Sequence, residues 1–322
     1  MIEPTKEEAQ GAQKAMGFRA YKGPLLSGPR TVIDAAAEDF PPALAAIPHP
    51  PERLYVVGDP AALCEGLAVI GARNATPYGL ACARRFAGRA AARGIVVISG
   101  GARGCDGQAH RAALEAGAPT VVFLGGGCDQ VYPASNFGLF QRVVEGGGAV
   151  VSEHEWDFPA LPYTFRQRNR LIAGLARAVL IVEAGLPSGT FSTADEALEA
   201  NRDVLVVPGA ISSATSAGSN RLLYQGATPV VDDETFDDAM NALFGLLKQE
   251  SVALGGTESS RDVLLEALRA EPMRLDRIMD VVLPRMRKAD RTPARVQLRL
   301  AKLEQAGLIG RYPDGRFGPL TV

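Results

Sequence analysis

The segment YTFRQRNR combines the two residue types that a single-stranded nucleic acid site requires. Arg166, Arg168 and Arg170 carry guanidinium groups that neutralise phosphates, and Phe165 offers an aromatic face on which an unpaired base can stack. Asn169 stands between the last two arginines. The pattern therefore predicts a nucleic-acid contact at these five residues, although a solvated charged loop with two core aromatics has the same composition.

Glycine-rich loops follow three apolar runs and are suited to phosphate. Glycines let the backbone approach a ligand, successive backbone N–H groups can surround an anion, and a helix N-terminus adds positive potential. The candidate binding residues are Gly71 and Arg73 in the first loop, Ser99, Gly100, Gly101, Arg103 and Gly104 in the second, and Ser188, Gly189 and Thr190 in the third. No loop has the spacing of a dinucleotide fingerprint or of a Walker A lysine loop. Because all three stand at strand ends, they predict a phosphate-bearing ligand at one edge of a sheet.

Other polar residues near these loops are interpreted as structural. His110 is expected to be a hydrogen-bonded structural residue, since no nucleophile is visibly paired with it. Asp106 is expected to be a helix N-cap, and Thr193 with Glu196 matches a capping box. Glu153 is expected to pair with a site arginine. Packing or pocket-wall roles are expected for Tyr132, Pro133 and Trp156. No catalytic residue and no metal ligand is predicted.

Short apolar runs must position these loops. They recur from residue 67 onward as continuous stretches without polar alternation, for example LAVIG, IVVISG and VLIVEA. Such runs are typical of strands buried on both faces, and helix-compatible segments lie between most of them. The pattern predicts an α/β protein with a doubly wound, Rossmann-like, mostly parallel sheet.

Three regions are predicted along the chain. An N-terminal extension covers residues 1–66, a Rossmann-like DNA-binding domain covers 67–250, and a small winged-helix domain covers 258–322. The last region contains three helical segments and a hairpin that a Pro-Asp-Gly turn can close. Its surface could contact DNA, but a role in protein contact or dimer stabilisation is favoured because its recognition-like helix also has apolar spacing for packing.

Composition limits the class of protein. The formal net charge is −2, so any nucleic acid site must be a local feature. The four cysteines form no CxxC pair, which disfavours zinc ligation or a disulfide framework and favours the reducing cytoplasm. The N-terminus is polar, and no apolar run approaches the ~20 residues of a membrane span. The sequence therefore predicts a cytoplasmic protein without membrane contact.

Several motifs in one order resemble a known family. They are IGARNATPYG, ISGGARGCDGQAH, GGGCDQVYP, SEHEWDFPALPYTFRQRNRLIAGLA, VLIVEAGLPSGTFSTADEALEANRDVLVVPG and GSNRLLYQGA. Together they closely resemble the DNA-processing protein A family (DprA, also called Smf), and the tail resembles its winged-helix domain. By this resemblance, the family's usual N-terminal helical domain is expected to be absent or reduced here, and SGGARGCD replaces the commoner SGxAxGID.

The resemblance implies a non-enzymatic role in natural transformation and DNA recombination. Members of the family bind and protect single-stranded DNA, help displace single-strand binding protein, and load the RecA recombinase. They act as homodimers formed through the Rossmann domain, and no cofactor is expected. Carried onto this sequence, the DNA pocket falls on Arg73, on the loop from Ser99 to Gly104, and on the segment from Phe165 to Arg170.

An enzymatic alternative comes from the cytokinin-activating phosphoribohydrolases of the LOG type, which share this Rossmann variant. They cleave the N-glycosidic bond of nucleoside monophosphates, and their PGGxGTxxE loop resembles LPSGTFSTADE. The loop here lacks the PGG start and separates the GT from the TxxE. The arginine-rich segment has no role in that chemistry, so the binding function is favoured. A purely structural scaffold would leave the clustered arginines idle.

Overall fold

The structure is a computed structural model. It describes residues 8, 21–186, 188–245, 262–270, 273–286, 291–305, 308–311 and 315–319. The chain separates into two compact units, residues 1–247 and residues 248–322.

One nine-stranded sheet forms the centre of the first unit. Its strands are β1 (Arg30–Asp34), β2 (Arg53–Gly58), β3 (Gly66–Ile70), β4 (Val97–Ser99), β5 (Thr120–Phe123), β6 (Ala149–Ser152), β7 (Ala176–Ile181), β8 (Asp203–Val206) and β9 (Thr228–Pro229). The spatial order is β1-β2-β6-β5-β4-β3-β7-β8-β9. The β1–β2 and β2–β6 pairs are antiparallel, and the other neighbours are parallel. The predicted α/β class with a mostly parallel sheet is confirmed.

Helices cover both faces of this sheet. They are α1 (Pro42–Ala45), α2 (Pro77–Ala91), α3 (Cys105–Glu115), α4 (Phe137–Glu145), α5 (Pro162–Leu175), α6 (Thr190–Glu199), α7 (Ala217–Tyr224) and α8 (Asp233–Phe244). Helices α1, α5, α6 and α7 share one core with the sheet, whereas α2, α3, α8 and α4 pack on the other face. Strand β3 shows the result, because Ala68 and Ile70 join one core and Leu67 and Val69 join the other. Burial on both faces explains the uninterrupted apolar runs.

The direction of winding reverses between β3 and β7. From β3 the chain adds β4, β5 and β6 on one side, and then β7, β8 and β9 on the other. In such sheets, ligands bind beyond the carboxyl ends of the strands near the point of reversal. The loops after β3, β4, β5 and β7 therefore form the candidate region.

The described part of the N-terminal segment belongs to the same sheet. Strand β1 pairs with β2 at the sheet edge, and β2 pairs in turn with β6. Leu44, Leu54 and Val56 are fully buried in the core beneath α5. Two strands and a helical turn of the predicted N-terminal extension thus join the first unit.

The second unit contains three helices and a two-stranded hairpin. The elements are α9 (Val263–Ala270), α10 (Leu275–Val281), α11 (Pro293–Gln305), β10 (Ile309–Arg311) and β11 (Phe317–Pro319). Buried side chains from all three helices and both strands form one small core. Residues 251–257, which separate the two predicted domains, and the first two residues of the Pro-Asp-Gly turn lie outside the described residues. Across the described ranges, no helix has both the length and the apolar character needed to cross a membrane.

Candidate nucleic-acid interface

The arginine-rich segment lies in helix α5, where its side chains point in different directions. Pro162 occupies the first helical turn, and the Thr164 hydroxyl accepts a hydrogen bond of 3.1 Å from the backbone N–H of Leu161. Successive residues on a helix are rotated by about 100°. The buried large and polar positions of the helix are Thr164, Arg168, Leu171, Ile172 and Leu175. The solvated loop that the composition also allowed is therefore wrong.

Arg168 points into the protein. Only 6% of it is exposed, and its Nη1 donates to the carbonyl oxygen of Gly100 at 2.8 Å and to that of Phe123. Burial lowers the pKa of Arg168 to about 10, with a smaller lowering by Arg73 and an opposing effect of Asp106. The guanidinium stays charged at neutral pH. Its position corrects the expectation of a phosphate contact, because the charge joins the ends of β4 and β5 instead.

Arg170 is also occupied by the protein. Its Nη1 and Nη2 donate to the two carboxylate oxygens of Glu153 at 2.7 and 2.5 Å, and its Nε donates to the backbone oxygen of His49 at 2.8 Å. The expected ion pair of Glu153 with a site arginine is present. Asn169 donates to the Ser192 hydroxyl at 3.2 Å and so links α5 to α6. These contacts hold α5 against its neighbours.

Three other arginines are exposed at the edge of the sheet. Arg73 follows β3, Arg103 follows β4, and Arg166 lies on the outer side of α5. Within the described ranges, the ion pairs of the protein involve none of these three. The loops of Arg73 and Arg103 touch, since the backbone N–H of Cys105 donates to the oxygen of Ala72 at 3.2 Å. Because the guanidinium groups of Arg73, Arg103 and Arg166 are exposed and are not in these ion pairs, they are available to neutralise phosphates.

An aromatic pair lies beside Arg73. The ring of Phe165 is half-buried, and its centroid is 5.1 Å from that of Tyr132. The guanidinium carbon of Arg73 is 5.9 Å from the Phe165 centroid. A Cβ at Gly125 would lie 2.7 Å from the Phe165 ring, so glycine is needed there. The sequence indicated Phe165 as a stacking residue and assigned Tyr132 a packing or pocket-wall role. Nothing local marks this loop tyrosine as the neighbour of a distant helix.

The glycines of the first two loops make room for the protein itself. A Cβ at Gly100 would lie 2.5 Å from Nη1 of Arg168, and one at Gly71 would lie 2.7 Å from the sulfur of Cys105. Gly104 has a φ of +79°, and a Cβ there would collide with the backbone oxygen of Ala72. Close packing of the loops, rather than approach of a ligand, therefore requires these glycines. Gly101 also has a positive φ, of +67°.

An internal carboxylate occupies the expected N–H nest. Asp106 is 7% exposed, and its Oδ2 accepts a hydrogen bond of 3.4 Å from the backbone N–H of Ala102. Burial raises the pKa of Asp106, while Arg168 and the backbone N–H groups of Ala102 and Gly100 oppose the rise. Gly104, rather than Asp106, is the N-cap residue of α3, so the N-cap prediction is wrong by two residues. The Asp106 carboxylate therefore interacts with backbone N–H groups of the second loop that were predicted to bind a phosphate.

Side chains from neighbouring strands and loops complete the support of the second loop. The hydroxyl of Ser99 is fully buried and donates to the backbone oxygen of Val69 at 2.7 Å. Asn136 donates to the backbone oxygen atoms of Gly101 at 2.9 Å and Ala102 at 3.3 Å. Ser99 is thus engaged within the protein. The amide of Asn136, which sequence reasoning did not single out, fixes the loop that presents Arg103.

The third predicted loop is organised around its own hydroxyl groups. Ser188 donates to the Thr190 hydroxyl at 2.8 Å and accepts from the Thr190 backbone N–H at 3.2 Å. Gly189 is the N-cap residue of α6, so Thr193 lies inside the helix. The predicted capping box of Thr193 with Glu196 is therefore wrong. Pro187, between β7 and this loop, lies outside the described residues.

Glu183 lies between β3 and β7, where the winding reverses, and binds the N-terminus of α2. It follows β7, is 2% exposed, and accepts hydrogen bonds from the backbone N–H and hydroxyl of Thr76 at 2.8 and 2.9 Å. Thr76 is the N-cap residue of α2. A Cβ at Gly79 would collide with the Glu183 carboxylate. Because a protein carboxylate already occupies this helix N-terminus, the exposed arginines are better placed than α2 to attract a phosphate.

His110 is structural, as expected from the sequence. The residue is fully buried, and its Nδ1 lies 2.8 Å from the hydroxyl oxygen of Thr120. Thr120 donates its own proton to the backbone oxygen of Val97 at 2.6 Å, so Nδ1 of His110 carries the proton of the pair. Burial lowers the pKa of His110 to about 3, with smaller effects of Arg111 and Arg168. A neutral imidazole therefore links α3 to the sheet.

Fold and site together define a Rossmann-like α/β protein with arginines and aromatic rings at the carboxyl edge of its sheet. The family model for DNA recombination-mediator protein A matches residues 31–243. The Smf protein of Escherichia coli is 38% identical over 290 residues, which cover 88% of this chain and 76% of that protein. The chain belongs to the DNA recombination-mediator protein A family.

Other relatives and solved structures agree. The DNA processing protein DprA of Bacillus subtilis is 32% identical over 200 residues, which cover 62% of this chain and 67% of that protein. The solved structure of DprA from Streptococcus pneumoniae is 32% identical with a TM-score of 0.61, and the match covers 65% of this chain and 74% of that one. DNA processing protein A from Helicobacter pylori, studied for its single-stranded DNA binding mode, is 30% identical with a TM-score of 0.61 over 69% of this chain and 99% of that one.

Proposed function

We propose that this protein binds single-stranded DNA across the surface formed by Arg73, Arg103, Arg166 and Phe165. The observation that carries the proposal is the exposed guanidinium of Arg73, 5.9 Å from the half-buried Phe165 ring. Arg166 is exposed next to Phe165 in the sequence of α5, and Arg103 is exposed on the loop that contacts the Arg73 loop. Guanidinium groups neutralise phosphates, and aromatic faces accept bases of any sequence. The single-stranded DNA binding mode studied in the Helicobacter pylori relative supports the same ligand here.

The remaining predicted site residues act by positioning this surface. Arg168 fixes the second loop from below, Arg170 and Asn169 anchor α5, and the loop glycines allow the close packing of the first two loops. The residues with this supporting role are Gly71, Ser99, Gly100, Gly101, Gly104, Arg168, Asn169 and Arg170. The loop of Ser188, Gly189 and Thr190 is proposed as a peripheral contact.

The proposed biological role is that of a recombination mediator. Binding protects the single strand, helps displace single-strand binding protein, and delivers the strand to RecA during natural transformation. The active form is a homodimer in the cytoplasm, without enzymatic activity or cofactor. The three helices and hairpin of the second unit form a winged helix that serves partner contact. The comparisons do not favour the phosphoribohydrolase alternative.

Single-stranded DNA is expected to bind more tightly than duplex DNA of the same length, with little dependence on sequence. The reason is that an aromatic ring at this surface can stack only on bases that are not already paired and stacked. Fluorescence anisotropy with labelled oligo-dT and with a matched duplex, at the same series of salt concentrations, measures the preference. Equal affinity for the duplex at every salt concentration would contradict the proposed ligand.

Each of the substitutions Arg73→Ala, Arg103→Ala and Arg166→Ala is expected to weaken oligo-dT binding and to flatten its salt dependence. Loss of one phosphate contact reduces the slope of log K against log[salt] by about 0.7 for single strands. The matched control is Arg142→Ala, because Arg142 is exposed in the last turn of α4, toward the opposite edge of the sheet. Wild-type slopes in all three variants would place the DNA site elsewhere.

A further inference from the structure

Tyr132 presents more open aromatic surface than Phe165. Tyr132 follows β5 and is 41% exposed, whereas Phe165 is half-buried. The Phe165 ring packs against the backbone at Gly125, and Arg73 lies 5.9 Å from its centroid. The two rings are 5.1 Å apart and inclined by 54°. Phe165 therefore lies among protein groups, and the outer ring of the pair is Tyr132.

The loop that carries Tyr132 is held firmly at several points. The backbone N–H of Gly127 donates to the oxygen of Phe158 at 2.9 Å, and that of Asp129 donates to the oxygen of Trp156 at 2.7 Å. At the other end of the loop, the side chain of Asn136 donates to the backbone oxygen of Gly101 at 2.9 Å. A loop that is already ordered loses little conformational entropy when a ligand binds. Less of the binding free energy of the Tyr132 ring is therefore spent on ordering the loop.

We propose that Tyr132 is the principal base-stacking residue of the site and that Phe165 supports it from behind. The inference rests on the proposed binding of single-stranded DNA and adds the residue that receives a base. Tyr132 and Arg73 both lie against Phe165, with its ring centroid 5.1 Å from that of Tyr132 and 5.9 Å from the guanidinium carbon of Arg73. The exposed phenol ring therefore offers an aromatic face for a base, and Arg73 offers a positive charge for an adjoining phosphate. The ligand moiety at Tyr132 is thus an unpaired nucleobase of any type.

The test compares oligo-dT with an abasic oligonucleotide of equal length, which keeps the phosphates and lacks the bases. For Tyr132→Leu, we expect affinity for oligo-dT to fall by about 5- to 150-fold, because stacking accounts for that range per base. Affinity for the abasic strand and the salt slope should remain at the wild-type level, since leucine removes no charge. Tyr132→Phe should bind both strands as the wild type does, because the aromatic face is retained.

The matched control is Tyr224→Leu. Tyr224 is 81% exposed at the end of α7 and also has an arginine over its ring, Arg221 at 5.3 Å. This variant should bind oligo-dT like the wild type. Wild-type affinity of Tyr132→Leu for oligo-dT would overturn the stacking role while leaving the proposed function intact. Failure of the wild-type protein to bind oligo-dT would instead overturn the proposed function. Equal losses on oligo-dT and on the abasic strand would also contradict stacking.

Discussion

Arg168→Ala is expected to lower the free energy of unfolding by about 2–6 kcal/mol, because each of two buried backbone oxygens left without its donor costs about 1–3 kcal/mol. The guanidinium of Arg168 holds the backbone oxygens of Gly100 and Phe123 and offsets the burial of Asp106. Alanine would leave two backbone oxygens without this donor and a buried carboxyl without its neighbouring charge. Urea unfolding followed by the fluorescence of Trp156, the single tryptophan, measures the loss in the first unit.

The control for this substitution is Arg166→Ala, two residues earlier on the same helix. Arg166 is exposed, so its removal should change the free energy of unfolding by less than about 0.5 kcal/mol. The two arginines should also differ in DNA binding. Arg166→Ala flattens the salt dependence, whereas the charge-conserving Arg168→Lys leaves the salt slope unchanged. An Arg168→Ala protein as stable as the wild type, with a flattened salt slope, would show that Arg168 contacts phosphate directly.

Acidification below pH 6.5 is expected to destabilise the protein through His110. Its pKa is about 3 in the folded protein and about 6.5 in an unfolded chain. As the pH falls through 6.5, the unfolded chain binds a proton that the folded protein does not bind. The contribution to stability is therefore constant above that pH and decreases by up to about 1.4 kcal/mol per pH unit down to pH 3. Between pH 6.5 and pH 5 the loss amounts to about 1.6 kcal/mol.

Urea unfolding of the wild type and of His110→Gln at pH 7, 6.5, 6, 5.5 and 5 tests this expectation. Most carboxyl groups stay ionised in this window, and the raised pKa of the buried Asp106 acts in the opposite direction, so the difference between the two proteins isolates the effect of His110. The glutamine variant should show a much flatter decline. His49→Gln is the matched control, because His49 is exposed, and it should follow the wild-type profile. An identical decline in wild type and His110→Gln would rule out His110 as the cause.

Local pattern was sufficient to predict the sheet and the strand-end loops. The apolar runs became buried parallel strands, and Arg73 and Arg103 lie in the loops that follow β3 and β4. A buried strand has to be apolar along its whole length, so its composition reveals it without knowledge of its neighbours. The N-terminal strands were less evident. Strand β1 pairs with β2, and β2 pairs with β6, which lies much later in the chain. Their place in the sheet therefore depends on a distant segment.

The sequence by itself determined the class of fold, the family, and the residue types that gather at one edge of the sheet. Only the tertiary structure decided which of them face solvent. Within α5, Arg166 is exposed while Arg168 is buried at the spacing of Thr164 and Leu171. Composition cannot tell which of these two arginines is buried, because that depends on which face of the helix packs against the sheet. The contact of Tyr132 with Phe165 was hidden for the same reason, since two distant segments meet only when the chain has folded.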